Sequence, residues 1–471
     1  MTTGLSPQDA VERALQAARC DDCVVIAAET SSANLRWAGN TLTTNGVSRS
    51  RQLTVVAISR SRAGTSVGAV SRAGVRDDAL ADVVAEAEQA AAEGSPAEDA
   101  APLVSPAGAG RQPVPARPGW AEPSAATSTA VFGGFAGELG QAFATAAAAG
   151  RKLYGFAEHS MASTFLGTSA GLRLRHDQPA GKVELNAKSA DLTRSAWAGA
   201  GTRDFTDVDV TALEAGLAQR IGWAQRRIEL PAGRYETLLP PSALADLLIY
   251  MYWSAGAKDA LDGRTVFSKP GGGTRVGEQL AALPLTLRSN PAEPRLECAP
   301  FVIAHASSRE SSVFDNGLPL RPTDWISAGV LSALTQTRHS ARLSGLPVTP
   351  PIGNLILEAT GGAASLDEMI AETSRGLLVT CLWYIREVDP QTLLLTGLTR
   401  DGVYLVENGE VVGAVNNFRF NESPVALLGK ISEAGATAVT LPREWSDYLT
   451  RAAMPAVRVD GFNMSSVSQA R

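Results

Sequence analysis

Cysteine is scarce: the 471-residue chain has four, too few for a disulfide framework to hold so long a polypeptide. Cys298 and Cys381 stand alone in apolar surroundings and read as small buried hydrophobes. Histidine is equally rare, and no two of His159, His176, His305 and His339 have the i,i+3 or i,i+4 spacing that sets two imidazoles on one side of a helix. The common zinc motifs are therefore absent. No apolar run approaches the roughly 18 to 20 residues that span a bilayer, and the N-terminus lacks the pattern of a signal peptide. Basic excess is missing too. Lys+Arg 42 against Asp+Glu 48, a net charge of -6, leave no stripe for a phosphate backbone, which excludes nucleic acid as a partner. These absences predict a soluble, cytoplasmic protein with no membrane contact.

What is present is a long chain, 45% hydrophobic, with material for two cores. Ser6 caps a first helix, Pro7 suits its first turn, and Val11, Ala14, Leu15 and Ala18 form its apolar face. Alternating runs at 24–28, 34–38, 52–59 and 66–70, with turns expected at Asn45-Gly46 and Ala63-Gly64, predict an antiparallel sheet. A helix over 77–93 should pack on it through Leu80, Val83, Val84 and Ala87. Residues 94–129 are rich in Pro, Ala, Gly and Ser, a composition that resists helix and ladder alike, and read as an extended strap. It leads to a small-residue helix over 137–149. Strand-like alternation resumes over 152–202, with turns expected near Gly171 and at Pro179-Ala180-Gly181, and a helix over 210–225 closes the first unit.

The second unit opens with a strand at 235–239 and a helix begun by Pro241 and packed through Leu244, Leu247, Leu248 and Met251. Runs at 355–359, 377–385, 392–400, 402–407 and 410–420 predict a strand-rich region, with Asn408-Gly409 a strong hairpin signal. Strands in series with clustered helices point to an α+β fold. Two domains are expected: 1–226, a curved sheet with flanking helices, and 227–471, strand-rich and barrel-like with surrounding helices.

Each chemical candidate has a bland alternative beside it. Cys20-Asp21-Asp22-Cys23 has redox or half-knuckle spacing, but it lacks a second pair, and its acids raise rather than lower a thiol pKa. Glu158-His159 falls in a strand, where neighbours point to opposite faces and cannot share an ion. Lys269-Pro-Gly-Gly-Gly273 lacks the Gly-Lys-Ser/Thr ending of a phosphate loop and reads as a turn. Ser307, Ser308, Ser311 and Ser312 lie near His305 and Asp315, yet none of the four stands in a Gly-x-Ser-x-Gly elbow.

An ordered series of segments carries more. "YETLLPPSALADLL", "LDGRTVFSKPGGGTRVGEQL", "SSVFDNGLPLRPTDWISAGVL", "GLLVTCLWYIREVDPQTLLLTGLTRDGVYLVENGEVVGAVNNFRF" and "PAVRVDGFNMSSVSQA" follow one another from about Arg234 to the end. This series resembles the C-terminal domain of the TldD/PmbA family, and the "AEAEQAAAE" helix and "TSAGLRLR" strand are similar to its more variable N-terminal domain. The resemblance spans nearly the whole chain.

The family's catalytic branch resembles a metallopeptidase, in which a His-Glu-x-x-x-His helix and a later Cys hold zinc with one position open for water. Here the aligned helix, 242–254, has neither His nor Glu, its only charged side chain is Asp246, and no Cys follows Cys381. The resemblance therefore implies the TldE or PmbA branch. On that reading the chain is a non-catalytic subunit that binds no cofactor and pairs, as a heterodimer or higher assembly, with a TldD-like subunit carrying the zinc. The complex would cleave unfolded peptides or peptide-like biosynthetic intermediates. Tyr250, Tyr252, Trp253, His305 and Asp315 are the candidates for partner interface or chamber lining, with core packing the alternative for each aromatic. Two other readings stay open: a stand-alone hydrolase built around Cys298, His305 and Asp315, and a non-enzymatic binding or scaffold protein.

Overall fold

A computed structural model describes residues 5–106, 119–400 and 402–468. The middle of the expected strap, 107–118, lies outside the described residues. The fold is mixed α+β with two sheets.

The first sheet has six antiparallel strands: β1 (Asp22–Trp37), β2 (Leu42–Ser61), β3 (Gly64–Ala73), β4 (Arg151–Thr168), β5 (Arg173–Ser189) and β6 (Ser195–Thr202), in the order β3-β2-β1-β4-β5-β6. Two expected turns prove to be strand. Asn45 and Gly46 lie inside β2, opposite Leu35 and Asn34. The reversal from β1 to β2 occurs instead at Gly39 and Asn40, both at positive φ (59° and 64°). Pro179-Ala180-Gly181 runs straight through β5. β6 stops pairing at Gly181, so one flank of β5 is open at Pro179 and the missing N–H costs nothing there.

Side-chain alternation divides the work of the sheet. Along β1, Cys23, Val25 and Ala27 meet α1 (Pro7–Ala17) and α2 (Leu80–Glu93). Ala33, Leu35 and Trp37, on the same face, meet α3 (Gly133–Ala148) and α4 (Val210–Trp223). Between the two helix pairs lies the end of the strap, where the Thr127 N–H donates to Ser31 Oγ (2.8 Å) and the Ala125 N–H to Ser163 Oγ (2.9 Å). On the opposite face, Val24 and Ile26 pack with Leu172 and Leu174 against Phe301, Val313 and Phe314 from the second half of the chain. Farther along, that face turns polar.

The second sheet has fourteen strands, beginning with β7 (Arg227–Ile228) and β8 (Gly233–Leu239). Its axis is Ala452–Val467, which pairs with β8, Phe418–Glu422 and Ile431–Thr440. The expected single strand 377–385 is two, Arg375–Val379 and Leu382–Asp389, which leave Thr380-Cys381 toward different neighbours. The run 410–420 also divides, into Glu410–Val415 and Phe418–Glu422. Asn408 and Gly409 (φ 51° and 83°) form the expected hairpin. Against this sheet lies α5 (Pro241–Trp253), whose Leu244, Leu247, Leu248 and Met251 are buried in the largest apolar cluster. Among the described residues no helix is long and apolar enough to cross a membrane.

Candidate functional site

Helix α5 is where the resemblance puts chemistry, and its side chains are committed to packing. Asp246 is fully buried. Its Oδ1 accepts from the Glu444 N–H (2.9 Å), its backbone carbonyl accepts from Trp445 Nε1 (2.9 Å), and among the described residues Oδ2 has no hydrogen-bond partner. Burial, with the Glu444 charge adding to it, holds this carboxyl well above the ordinary aspartate range. Cys381 Sγ receives the guanidinium of Arg443, the residue before Glu444. That guanidinium is stacked between Trp383 (4.5 Å) and Trp197 of β6 (5.2 Å), and so joins the two sheets. One buried carboxyl and one thiol capped by a cation do not make a zinc site. Among the described residues no three His, Cys, Asp or Glu side chains gather in metal-binding geometry. The residues present do not fit the metal of the catalytic branch.

The sequence candidates separate. Tyr252 belongs to the core: it is 4% exposed, its hydroxyl donates to the Ile352 carbonyl (3.1 Å) and accepts from the Ile352 N–H (2.7 Å), and its ring meets Trp325. Such a residue has no surface to offer a partner. Tyr250 and Trp253 are half-buried and pack on each other and on Trp445. His305 Nδ1 is 2.9 Å from Thr54 Oγ1 of β2, and burial lowers its pKa. Asp315 is buried, held by the Arg338 N–H (3.0 Å) and Nε (2.6 Å). Cys298 faces Gly353 and its thiol is pushed up to about 11 by burial. The three residues of the hydrolase alternative thus engage three separate partners, and Ser307 and Ser312 both donate to Asp99.

His159 is buried, with Nδ1 2.7 Å from Thr127 Oγ1 and Nε2 2.8 Å from the Arg203 carbonyl oxygen, and burial depresses its pKa. Lys269 to Gly273 forms a turn with three glycines at positive φ. The Cys20 thiol departs from the expectation that the flanking acids raise it: its pKa is lowered, chiefly through the adjacent Cys23, whose own is raised, and its Sγ donates to the Asp22 carbonyl (3.1 Å).

A polar cleft of about 410 Å³ opens between the first sheet and the segment around 446–450, lined by Ser32, Asn34, Ser48, Glu158, Lys182 and Asp447. Lys182 reaches across it, 2.6 Å from Asp447 Oδ1 and 3.2 Å from Ser446 Oγ. Gly199 and Gly201 of β6 allow this contact, since a Cβ on Gly201 would fall 2.0 Å from the Thr450 carbonyl oxygen. The sequence signal was a "REWSDY" stretch rich in charge and aromatics, but nothing local tells what it faces.

Residues 232–466 match the PmbA/TldA metallopeptidase C-terminal domain. No curated protein sequence matches the chain. TldE from Thermococcus kodakarensis has a similar structure, with a TM-score of 0.78 at 18% identity over 97% of this chain and 99% of that one. A candidate modulator of a DNA gyrase from Thermotoga maritima gives 0.75 at 17% identity, covering 97% and 99%. One from Bacteroides thetaiotaomicron gives 0.75 at 15% identity, covering 98% of each. At these identities the structures establish a shared fold, and the matched domain establishes kinship. By its C-terminal domain and its two-sheet architecture, the chain belongs to the TldD/PmbA family.

Proposed function

We propose that this chain is a TldE/PmbA-like subunit without its own zinc site, acting in the cytoplasm within a peptidase complex whose TldD-like partner supplies the metal. The carrying observation is the state of α5. Its positions are taken up by Leu, Ile and Ala packing, by Asp246 bonded to 444–445, and by Tyr252 bonded to Ile352. A peptidase zinc needs three protein ligands and an open fourth position, and these side chains offer no such set. The substrate on this reading is an unfolded peptide or a peptide-like biosynthetic intermediate, admitted because a narrow chamber excludes folded chains.

Co-expression with a zinc-motif homologue from the same genome, followed by size-exclusion chromatography, tests the assembly. Co-elution in a fixed ratio is expected, and separate elution at micromolar concentration contradicts it. Against the hydrolase alternative, His305→Ala in the assembled complex should leave peptidase activity within about twofold. Loss of activity in a still-assembled His305→Ala complex would favour that alternative.

A further inference from the structure

Strand β2 outruns its neighbour β3. The two pair from Ser61 with Gly64 only as far as Gln52 with Ala73, and the Gly74 N–H then donates to the Arg51 carbonyl (2.9 Å). From Thr44 to Ser50, β2 stays in unbroken ladder with β1 on one side. Among the described residues no strand pairs with this stretch on the other side. The bond to Gly74 fixes which groups are left over. The N–H and C=O of one strand residue point the same way, and the direction alternates from residue to residue. Asn45, Val47 and Arg49 therefore turn theirs outward, in the direction of the Arg51 carbonyl. All three are exposed, and Val47 is an exposed apolar side chain at 52%.

An open edge of this kind is a template for another strand, and proteins that must stay single blunt it with Lys, Pro or a bulge. Thr44 to Ser50 contains no Lys, no Pro and no register shift. Its sequence is also complementary to itself when laid antiparallel about its own midpoint, Val47. Val47 then faces Val47 of the second copy, Asn45 faces Arg49, Gly46 faces Ser48 and Thr44 faces Ser50. The single charge meets an amide, the hydroxyls meet each other, and the exposed valine is covered by its own counterpart. Such directly opposed pairs are what stabilise one register over others. The outward positions fall opposite one another as well, 45 with 49 and 47 with 47, so each of their N–H and C=O groups finds a partner.

We propose that two copies of this chain join through this edge, β2 pairing antiparallel with β2 of the second copy about a two-fold axis at Val47. The second strand continues the line of β3 alongside β2 and makes one sheet of the two. A two-fold axis requires a surface that complements itself, and the run from Thr44 to Ser50 does so at every position. The contact is short against the roughly 800 Å² per partner of a standard interface, so the dimer forms at micromolar concentration and dissociates on dilution. It goes beyond the proposed subunit role and does not depend on it.

The test uses the full chain alone. Sedimentation equilibrium should show a reversible dimer. Val47→Lys sets two like charges face to face and should weaken it at least about tenfold, with the thermal midpoint near that of the parent, while Val47→Ile should preserve it. Register is read by crosslinking under diamide, with the parent as control for its own four free cysteines. Val47→Cys should give a disulfide-linked dimer, because opposed residues at the axis lie about 5.5 Å apart between Cα atoms, within disulfide range. Asn45→Cys should not, since its counterpart is displaced by four residues along the strand. A parent chain still monomeric at roughly 0.5 mM, a dimer indifferent to Val47→Lys, or equal crosslinking at 45 and 47 would each overturn the proposal. So would a parent that is monomeric alone and whose co-elution with a zinc-motif homologue is lost in Val47→Lys, which would assign the edge to that other partner. Because the dimer is measured without a partner, its failure is distinguishable from failure of the subunit reading.

Discussion

Tyr252 and Asp246 show how α5 is fixed in place, and both give measurable consequences. Tyr252→Phe strips the Ile352 N–H and carbonyl of the Tyr252 hydroxyl in a dry environment, which should cost about 1 to 3 kcal/mol in urea unfolding. No measurable loss would mean that water or a backbone shift replaces the hydroxyl. Asp246 acts through pH. Its folded-state pKa is raised, so the fold holds a proton that the unfolded chain gives up. Its contribution is complete below the unfolded value near about 4 and is lost as pH rises toward the folded value. Asp246→Asn should therefore flatten the decline of stability on the alkaline side and be at least as stable as the parent at pH 8. A variant that is less stable at pH 8 with an unchanged decline would contradict the assignment. The sequence exposes Asp246 as the one charge on α5 but does not tell its partners, because Glu444 and Trp445 come from a loop almost two hundred residues away. Tyr252, Tyr250 and Trp253 are three similar residues on one helix, and only the surrounding elements make the first core and the others surface.

Elements whose patterns are local were legible, and those decided by distant pairing were not. The capped first helix, α2, α4, α5 and the Asn408-Gly409 hairpin follow from spacing and turn chemistry within a dozen residues. Asn45-Gly46 carries the same hairpin signature and is strand, because β1 and β2 pair in unbroken register from Asp22 with Ile58 to Arg36 with Thr44. Long antiparallel partners override a turn propensity when every residue on both sides is already in a ladder. β1 read as two strands because its middle, Glu29 to Ser32, is polar, and that stretch is polar because it faces the strap on one side and the cleft on the other. Close approach gives a further test at this scale. A Cβ on Gly68 of β3 would fall 2.1 Å from the Ala87 carbonyl oxygen of α2, so Gly68→Ala should cost about 1 to 3 kcal/mol or more by forcing the helix off the sheet. Unchanged urea stability in that variant would show that helix and strand are less tightly apposed.

Across the whole molecule, the two sheets are tied by packing of Val24 and Ile26 against Phe301 and Phe314, by Arg443 between Trp197 and Trp383, and by Lys182 with Asp447. The fold is that of TldD/PmbA proteins, while α5, the helix to which the sequence resemblance assigns the zinc of the catalytic branch, is filled with apolar packing. Family and fold class were readable from the ordered segments of the second half. The cleft and the link between the sheets were not, since each joins residues from the two halves of the chain. The most direct measurement is zinc content together with cleavage of unfolded casein, for the purified chain alone and for its complex with a zinc-motif homologue from the same genome. The account predicts metal and cleavage only in the complex; stoichiometric zinc and cleavage from this chain by itself would contradict it.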